Sequence, residues 1–301
     1  MYNLQASDLN RRNISFGLLR VYKDLYQRTG LNRYSGPRTV LMIMGCQRSG
    51  TSLTYWVFER DFNTRIFREA SILSSEDTEE GLRLNPIDQV NQELSKRQVP
   101  IVVLKPLVES QRATELLGAI PHSKILWLYR HYQDVASSNL KAFGMDNGIK
   151  DLRPFVNRDP DNWRSQNASE ETLATIDRFF AEDMNPYDAA ALFWYARNQL
   201  FFDQGLDQNP DVILCRYEDF VLNPAATMQR IYGAIGAAYP GDEIVQDVHP
   251  QSVGKGRKSH LSPEVEAICQ ALLDRLDLVN QVALETSPIT TASTAGVTAH
   301  E

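Results

Sequence analysis

The sequence predicts an α/β fold, a parallel sheet covered on both faces by helices. Two observations predict it. Apolar runs of strand length alternate with segments of helical periodicity from residue 39 to residue 276, the pattern of βαβ units. At the first strand-to-helix junction, the stretch TVLMIMGCQRSGTSL (residues 39–53) carries a glycine, four residues and a second glycine, the form of a phosphate-binding loop.

The elements follow in order. Residues 14–28 read as an amphipathic helix, with Leu18, Leu19, Val21, Tyr22 and Leu25 near helical spacing, and LNRYSGPR breaks it. TVLMIMG is a buried strand, and TSLTYWVFERD is a helix directly after the loop. VPIVVLK is the second strand, ATELLGAI a helix, SKILWLY the third strand and QDVASSNLKAF a helix. PDVILCRYEDF reads as the fourth strand. NPAATMQRIYGAIG and SPEVEAICQALLDRL are late helices, each with proline near its first position. Residues 141–190 interrupt the alternation and are rich in Asp, Asn, Arg and Pro, with only ETLATIDRFF clearly helical. They read as an insertion or lid over the sheet. The tail 286–301, TSPITTASTAGVTAHE, has the composition of a disordered segment. One domain over residues 1–285 is therefore expected.

The chain has 301 residues, 43% apolar and 23% charged, with a formal charge of −7. That balance argues against nucleic acid or a polyanionic sugar as the main partner, since such binders carry a basic face. Three cysteines, Cys46, Cys215 and Cys269, are odd in number and widely spaced, so neither a disulfide framework nor a metal cluster is expected. The first twenty residues hold no continuous apolar run of leader or anchor length. A cytoplasmic location is the expectation that follows.

In the loop, a lysine after the second glycine would span the outer phosphates of a nucleotide, beside a hydroxyl that holds Mg²⁺. Here that position is Thr51, followed by Ser52, and the cation is Arg48, inside the loop. This suits a terminal phosphate gripped by backbone N–H groups and one side chain. A strand-turn-helix junction without ligand is the alternative. At a later strand-to-helix junction, LWLYRHYQDVASSNL, Arg130 ends the strand and Ser138 follows eight residues on. Arg130 offers a forked cation to a second phosphate. Taken together, the two junctions describe anion sites at the C-terminal ends of parallel strands, where open α/β sheets bind ligands.

These segments resemble the sulfotransferases that use 3′-phosphoadenosine 5′-phosphosulfate (PAPS). GCQRSGTS is similar to the family's 5′-phosphosulfate loop, which gives Arg48, Ser49, Gly50, Thr51 and Ser52, with Gln47 beside them, to the donor. RHYQDVASS is similar to the 3′-phosphate motif and implies Arg130 and Ser138. RYEDF resembles the segment whose tyrosine sits by the adenine, here Tyr217. VGKGRKSHLSPEV resembles the basic loop that closes over the 3′-phosphate, pointing to Arg257 and Lys258. The motifs stand in the family's order between residues 39 and about 265. The resemblance implies a P-loop-like three-layer fold, PAPS as co-substrate, and sulfuryl transfer to a hydroxyl or amine of an acceptor; no metal is expected, and with the net acidity a small-molecule acceptor is the expectation. Two positions depart from the soluble members. Leu53 stands where a tryptophan stacks on adenine, and Leu107 stands where a histidine acts as base.

Sulfuryl transfer needs cations on the transferring group and a base for the acceptor's proton. Arg48 and Lys105 are the expected cations. For the base, the resemblance to the tyrosylprotein and related bacterial sulfotransferases implies Glu69, seventeen residues beyond Ser52. An ion pair from Glu69 to Arg65 or Arg68 is the alternative role for that carboxylate. Glu109 is the reserve candidate, while His131 and His260 read as surface or donor-side histidines and Trp194 and Tyr195 as core. Two rival readings stay open: a P-loop kinase or NTPase, with Asp219 as its Mg²⁺ acid, and a nucleotide-binding protein without catalysis.

Overall fold

In the computed structural model, which describes residue 19 and residues 21–27, 34–77 and 81–286, the chain opens with helix α1 over residues 21–27. There follow β1 (Thr39–Gly45), α2 (Thr51–Arg60), β2 (Thr64–Phe67), β3 (Ser74–Asp77), β4 (Gly81–Leu84), α3 (Ile87–Ser95) and β5 (Ile101–Leu104). The middle of the chain forms α4 (Ala113–Ala119), β6 (Ser123–Tyr129), α5 (Tyr132–Phe143), α6 (Asn147–Val156), α7 (Glu170–Phe179) and α8 (Pro186–Asp203). It closes with β7 (Val212–Arg216), α9 (Tyr217–Leu222), α10 (Pro224–Ala234) and α11 (Pro263–Thr286).

Five strands form one parallel sheet in the order β2-β5-β1-β6-β7. β1 lies at its centre, and its side chains alternate between two cores. Val40, Met42 and Met44 join the cluster that includes α8, while Leu41 and Ile43 join the one that includes α2 and α10. This two-sided burial is why the strand reads as a continuous apolar run. The result is the three-layer α/β architecture expected, with helices on both faces of a parallel sheet.

α8 is the pillar of one layer. Its residues from Asp188 to Phe202 are all buried, as a helix apolar on nearly every side must be. It packs against α5, α6, α11 and β1. Trp194 is fully buried, and its indole Nε1 donates to the Arg130 carbonyl at 2.9 Å. The buried helix thus fixes the backbone where β6 turns into α5. Trp194 and Tyr195 are core residues, as read from the sequence.

Several expectations are corrected. The fourth strand stops at Arg216 and the rest of PDVILCRYEDF coils into α9. Between 141 and 190, α6 is a second helix besides the one predicted, and Pro154 lies within its last turn. Leu152 and Phe155 of α6 belong to the main core. The β3–β4 hairpin was not anticipated, since β3, SSED, holds no apolar residue. In α1, Val21, Tyr22 and Leu25 are exposed rather than core. The buried residue is Lys23, whose ammonium donates to Thr64 Oγ1 at 2.7 Å and the Glu59 carbonyl at 3.0 Å. Leu18 lies outside the described residues, as does the expected tail from residue 287; Thr286 itself still belongs to α11.

Candidate active site

Because the five strands are parallel, their C-terminal ends share one edge of the sheet. The turns leaving that edge carry Arg48 after β1, Glu69 after β2, Lys105 after β5, Arg130 after β6 and Tyr217 after β7. An open cleft of about 640 Å³ runs along it and all five residues line it.

On one side the cleft is built from the loop and the start of α2. Gln47, Arg48, Gly50, Thr51, Ser52 and Leu53 face it. Gly50 is the N-cap at φ 94°, and no side chain caps the helix and no acid stands in its first turn. The first N–H groups of α2 are therefore donors without a side-chain acceptor, at the positive end of the helix dipole. Glycine is required at this point for two reasons. Its φ is left-handed, and a Cβ there would lie 2.3 Å from Cδ2 of Tyr217. Arg48 is also left-handed, at φ 67°, a conformation that costs a non-glycine residue about 1 kcal/mol. Its Nε donates to Ser138 Oγ at 3.0 Å, and its guanidinium lies 5.9 Å from the Phe143 ring centre. Desolvation first, and the Arg130 charge second, press the Arg48 pKa below its ordinary value.

Arg130, which the sequence offers to a second anion, also lines the cleft. It is buried, and its guanidinium stacks 4.5 Å over the Tyr217 ring centre. Nη2 donates to the Ser252 carbonyl at 2.5 Å and Nη1 to the Arg48 carbonyl at 3.5 Å, while Nε has no hydrogen-bond partner. A buried guanidinium N–H without an acceptor is costly, and this one belongs to a residue that lines the cleft, as Ser138 does. The Tyr217 hydroxyl shares a 2.5 Å hydrogen bond with Ser252 Oγ.

The Lys105–Glu69 ion pair lines the same cleft. Lys105 is buried, and its Nζ lies 3.2 Å from Glu69 Oε1. The Glu69 side chain keeps 35% of its surface exposed, so it pairs with lysine and still faces the cleft. The Lys105 N–H donates to the Phe67 carbonyl at 3.0 Å, which sets the end of β5 beside the turn that carries Glu69. The alternative partners are engaged elsewhere: Arg65 pairs with Asp24, and Arg68 lies over the Tyr55 and Trp56 rings. The apolar part of the lining includes Leu82, Leu107, Val108, Phe143 and Trp163.

Not every residue expected here arrives. Ser49 is fully buried, its hydroxyl lacks a partner, and it lies off the cleft. Its N–H donates to the Cys46 carbonyl at 3.3 Å, which closes the loop. Arg257 and Lys258 are exposed on the turn beyond Ser252 and are not among the lining residues. The reserve base Glu109 is excluded by its surroundings. It is fully buried, takes hydrogen bonds from Arg83 and Arg112, and accepts the Leu84 N–H at 3.0 Å. His131 caps α5 through the Gln133 N–H, and burial pushes its pKa down to about 4. His260 is exposed on the far side of the basic turn. Asp219 sits in α9, where its carboxylate accepts from Asn280 at 3.0 Å, away from the loop.

Sequence reasoning missed Ser252 and Trp163. Ser252 precedes the glycines of VGKG, a turn signal that could have drawn attention to it. Trp163 carries no local signal, because its place depends on the packing of α6 to α8.

Among solved structures, the chain is similar to the sulfotransferase domain from the Synechococcus PCC 7002 olefin synthase, at 14% identity over 82% of this chain and 98% of that one, with a TM-score of 0.46. It is similar to the sulfotransferase domain from the curacin biosynthetic pathway at 16% identity over 81% and 99%, with a TM-score of 0.49. A mouse sulfotransferase complexed with PAP aligns at 14% identity over 88% and 95%, with a TM-score of 0.42. No protein-family model and no curated protein matches the chain.

Proposed function

We propose that this protein is a sulfotransferase that moves the sulfuryl group of PAPS to a hydroxyl or amine of a small-molecule acceptor. The observation that carries the reading is the convergence, in one cleft, of an uncapped loop-helix junction, the Arg130–Ser138 site and the Lys105–Glu69 ion pair. Three of the motifs that resemble the PAPS-dependent family supply residues to that cleft: Arg48, Thr51 and Ser52 from the first, Arg130 and Ser138 from the second, and Tyr217 from the third.

The residues present fit the donor. The Nε of Arg130, without an acceptor among the described residues, and the first turn of α2, without a side-chain cap, are acceptor-seeking groups of residues that line the cleft. In this reading the N–H groups of α2, Thr51 and Ser52 hold the 5′-phosphosulfate end. Arg130 and Ser138 hold the 3′-phosphate, and Tyr217 lies by the adenine. Sulfuryl transfer forms a bond from the acceptor oxygen or nitrogen to sulfur and breaks the bond from sulfur to the bridging phosphate oxygen. Glu69 takes the acceptor's proton. Lys105 and Arg48 hold the charge that collects on the sulfuryl oxygens and on the departing phosphate. The apolar surface of Leu107, Val108 and Trp163 would receive the acceptor body.

The test is incubation of the purified protein with PAPS labelled in its sulfur and a panel of alcohols, phenols and amines. Label in an acceptor, lost in Glu69→Gln, supports the reading. Tight binding of the desulfated donor with no transfer to any acceptor would replace it with a nucleotide-binding role. ATP consumption that depends on Mg²⁺ would favour a kinase or NTPase.

A further inference from the structure

An acidic residue in the first turn of a helix ordinarily serves its own helix N-terminus. Asp134, in the first turn of α5, does something else. Both carboxylate oxygens leave the helix and bind a distant loop: Oδ2 accepts the Gly254 N–H at 2.8 Å and Oδ1 the Gly256 N–H at 2.6 Å. The residue is 2% exposed. Its Oδ2 also lies 3.7 Å from Arg130 Nη2. Gly256 presses so closely on α5 that a Cβ there would meet the Gln133 carbonyl oxygen at 2.2 Å. Gln133 adds a hydrogen bond from its Nε2 to the Ser259 carbonyl at 3.3 Å.

The clamped loop reaches Arg130 and Tyr217 through Ser252. Ser252 stands two residues before Gly254, and its carbonyl accepts Arg130 Nη2 while its hydroxyl holds Tyr217. Arg257 stands directly after Gly256, and its charge reaches the His131 side of the same junction. The loop from 249 to 259 has neither helix nor strand of its own, so its position depends on such contacts.

We infer that Asp134 is a positioning residue for donor binding: its buried carboxylate pins the Ser252–Arg257 loop to α5 and so aligns Arg130 for the 3′-phosphate. The inference rests on the proposed donor site and adds a residue that touches neither the donor nor the reacting atoms. Asp134→Asn keeps the shape but turns one acceptor into a donor that faces an N–H. It should weaken binding of 3′-phosphoadenosine 5′-phosphate roughly tenfold or more, as loss of a charge-assisted hydrogen bond does. The acceptor KM should stay within about twofold. Gly256→Ala attacks the same contact from the loop side and should give the same split.

Calorimetry with 3′-phosphoadenosine 5′-phosphate, with acceptor kinetics alongside, decides. If either variant shows the donor-specific loss, the clamp is supported, and Gly256→Ala alone decides should Asp134→Asn not fold. Unchanged donor affinity in a folded variant, or an equal loss for donor and acceptor, overturns it while leaving the function reading intact. No binding by the unsubstituted protein overturns the function reading and the inference together.

Discussion

Arg48 and Ser138, ninety residues apart in sequence, are joined by a 3.0 Å hydrogen bond from Nε to Oγ. One belongs to the loop after β1 and the other to the helix after β6. Their contact is possible because those two strands are hydrogen-bonded neighbours in register, from Val40 with Ser123 to Gly45 with Leu128. Two junctions that look independent in the sequence are thus one surface.

Removal of either member of the Lys105–Glu69 pair should cost turnover rather than donor binding. Glu69→Gln is expected to lower kcat about 10²–10⁴-fold, the usual contribution of a general base, and Lys105→Ala to act in the same direction. Steady-state kinetics at saturating PAPS check this. Loss of donor affinity with kcat intact would assign the pair to the wrong end of the cleft.

Arg130→Ala should do the opposite. Arg130 lines the cleft, and its Nε has no acceptor among the described residues, so its loss is expected to weaken 3′-phosphoadenosine 5′-phosphate binding by about 10–100-fold, in line with one or two charge-assisted hydrogen bonds. The kcat at saturation should change much less. Calorimetric titration of the variant gives the answer.

Gly50→Ala brings a Cβ to 2.3 Å from the Tyr217 ring at a left-handed φ. It should lower Tm by several degrees, as roughly 1–3 kcal/mol of strain and overpacking does in a domain of this size, and weaken donor binding as Tyr217 is displaced. A thermal melt with and without 3′-phosphoadenosine 5′-phosphate measures both effects.

Acidification should destabilise the fold through His131. Burial holds its pKa near 4, below the ordinary 6.5, so between those values the unfolded chain binds one more proton than the folded one. Stability therefore rises with pH across that window and falls as pH drops, at no more than about 1.4 kcal/mol per pH unit for one proton. His131→Asn keeps an acceptor at the helix cap and should flatten that part of the stability profile. Urea melts from pH 4 to 7 on both proteins test it.

The parts of this molecule legible in the sequence are those whose cause is local. β1, its loop and α2 follow from a buried strand, two glycines and a helical run within about twenty residues, and the β6–α5 junction is similar. Lys105 and Glu69 could be named as ends of strand-like segments. Their pairing could not, because it depends on β5 lying between β1 and β2. Asp134 was invisible for a stronger reason. Its partners lie 120 and 122 residues away, and an acid in a helix's first turn already has an ordinary explanation. α1 misled because a periodic apolar face says nothing of which side meets the protein, and Lys23 found buried partners that no pattern announces.

The central claim is that the cleft along the sheet edge holds both phosphate ends of a bisphosphorylated adenosine. A crystal structure with 3′-phosphoadenosine 5′-phosphate tests it most directly. Density should place the 5′-phosphate at the N-terminus of α2, against Thr51 and Ser52, and the 3′-phosphate at Arg130 and Ser138. Nucleotide density anywhere else on the protein, or none at saturating ligand, would contradict it.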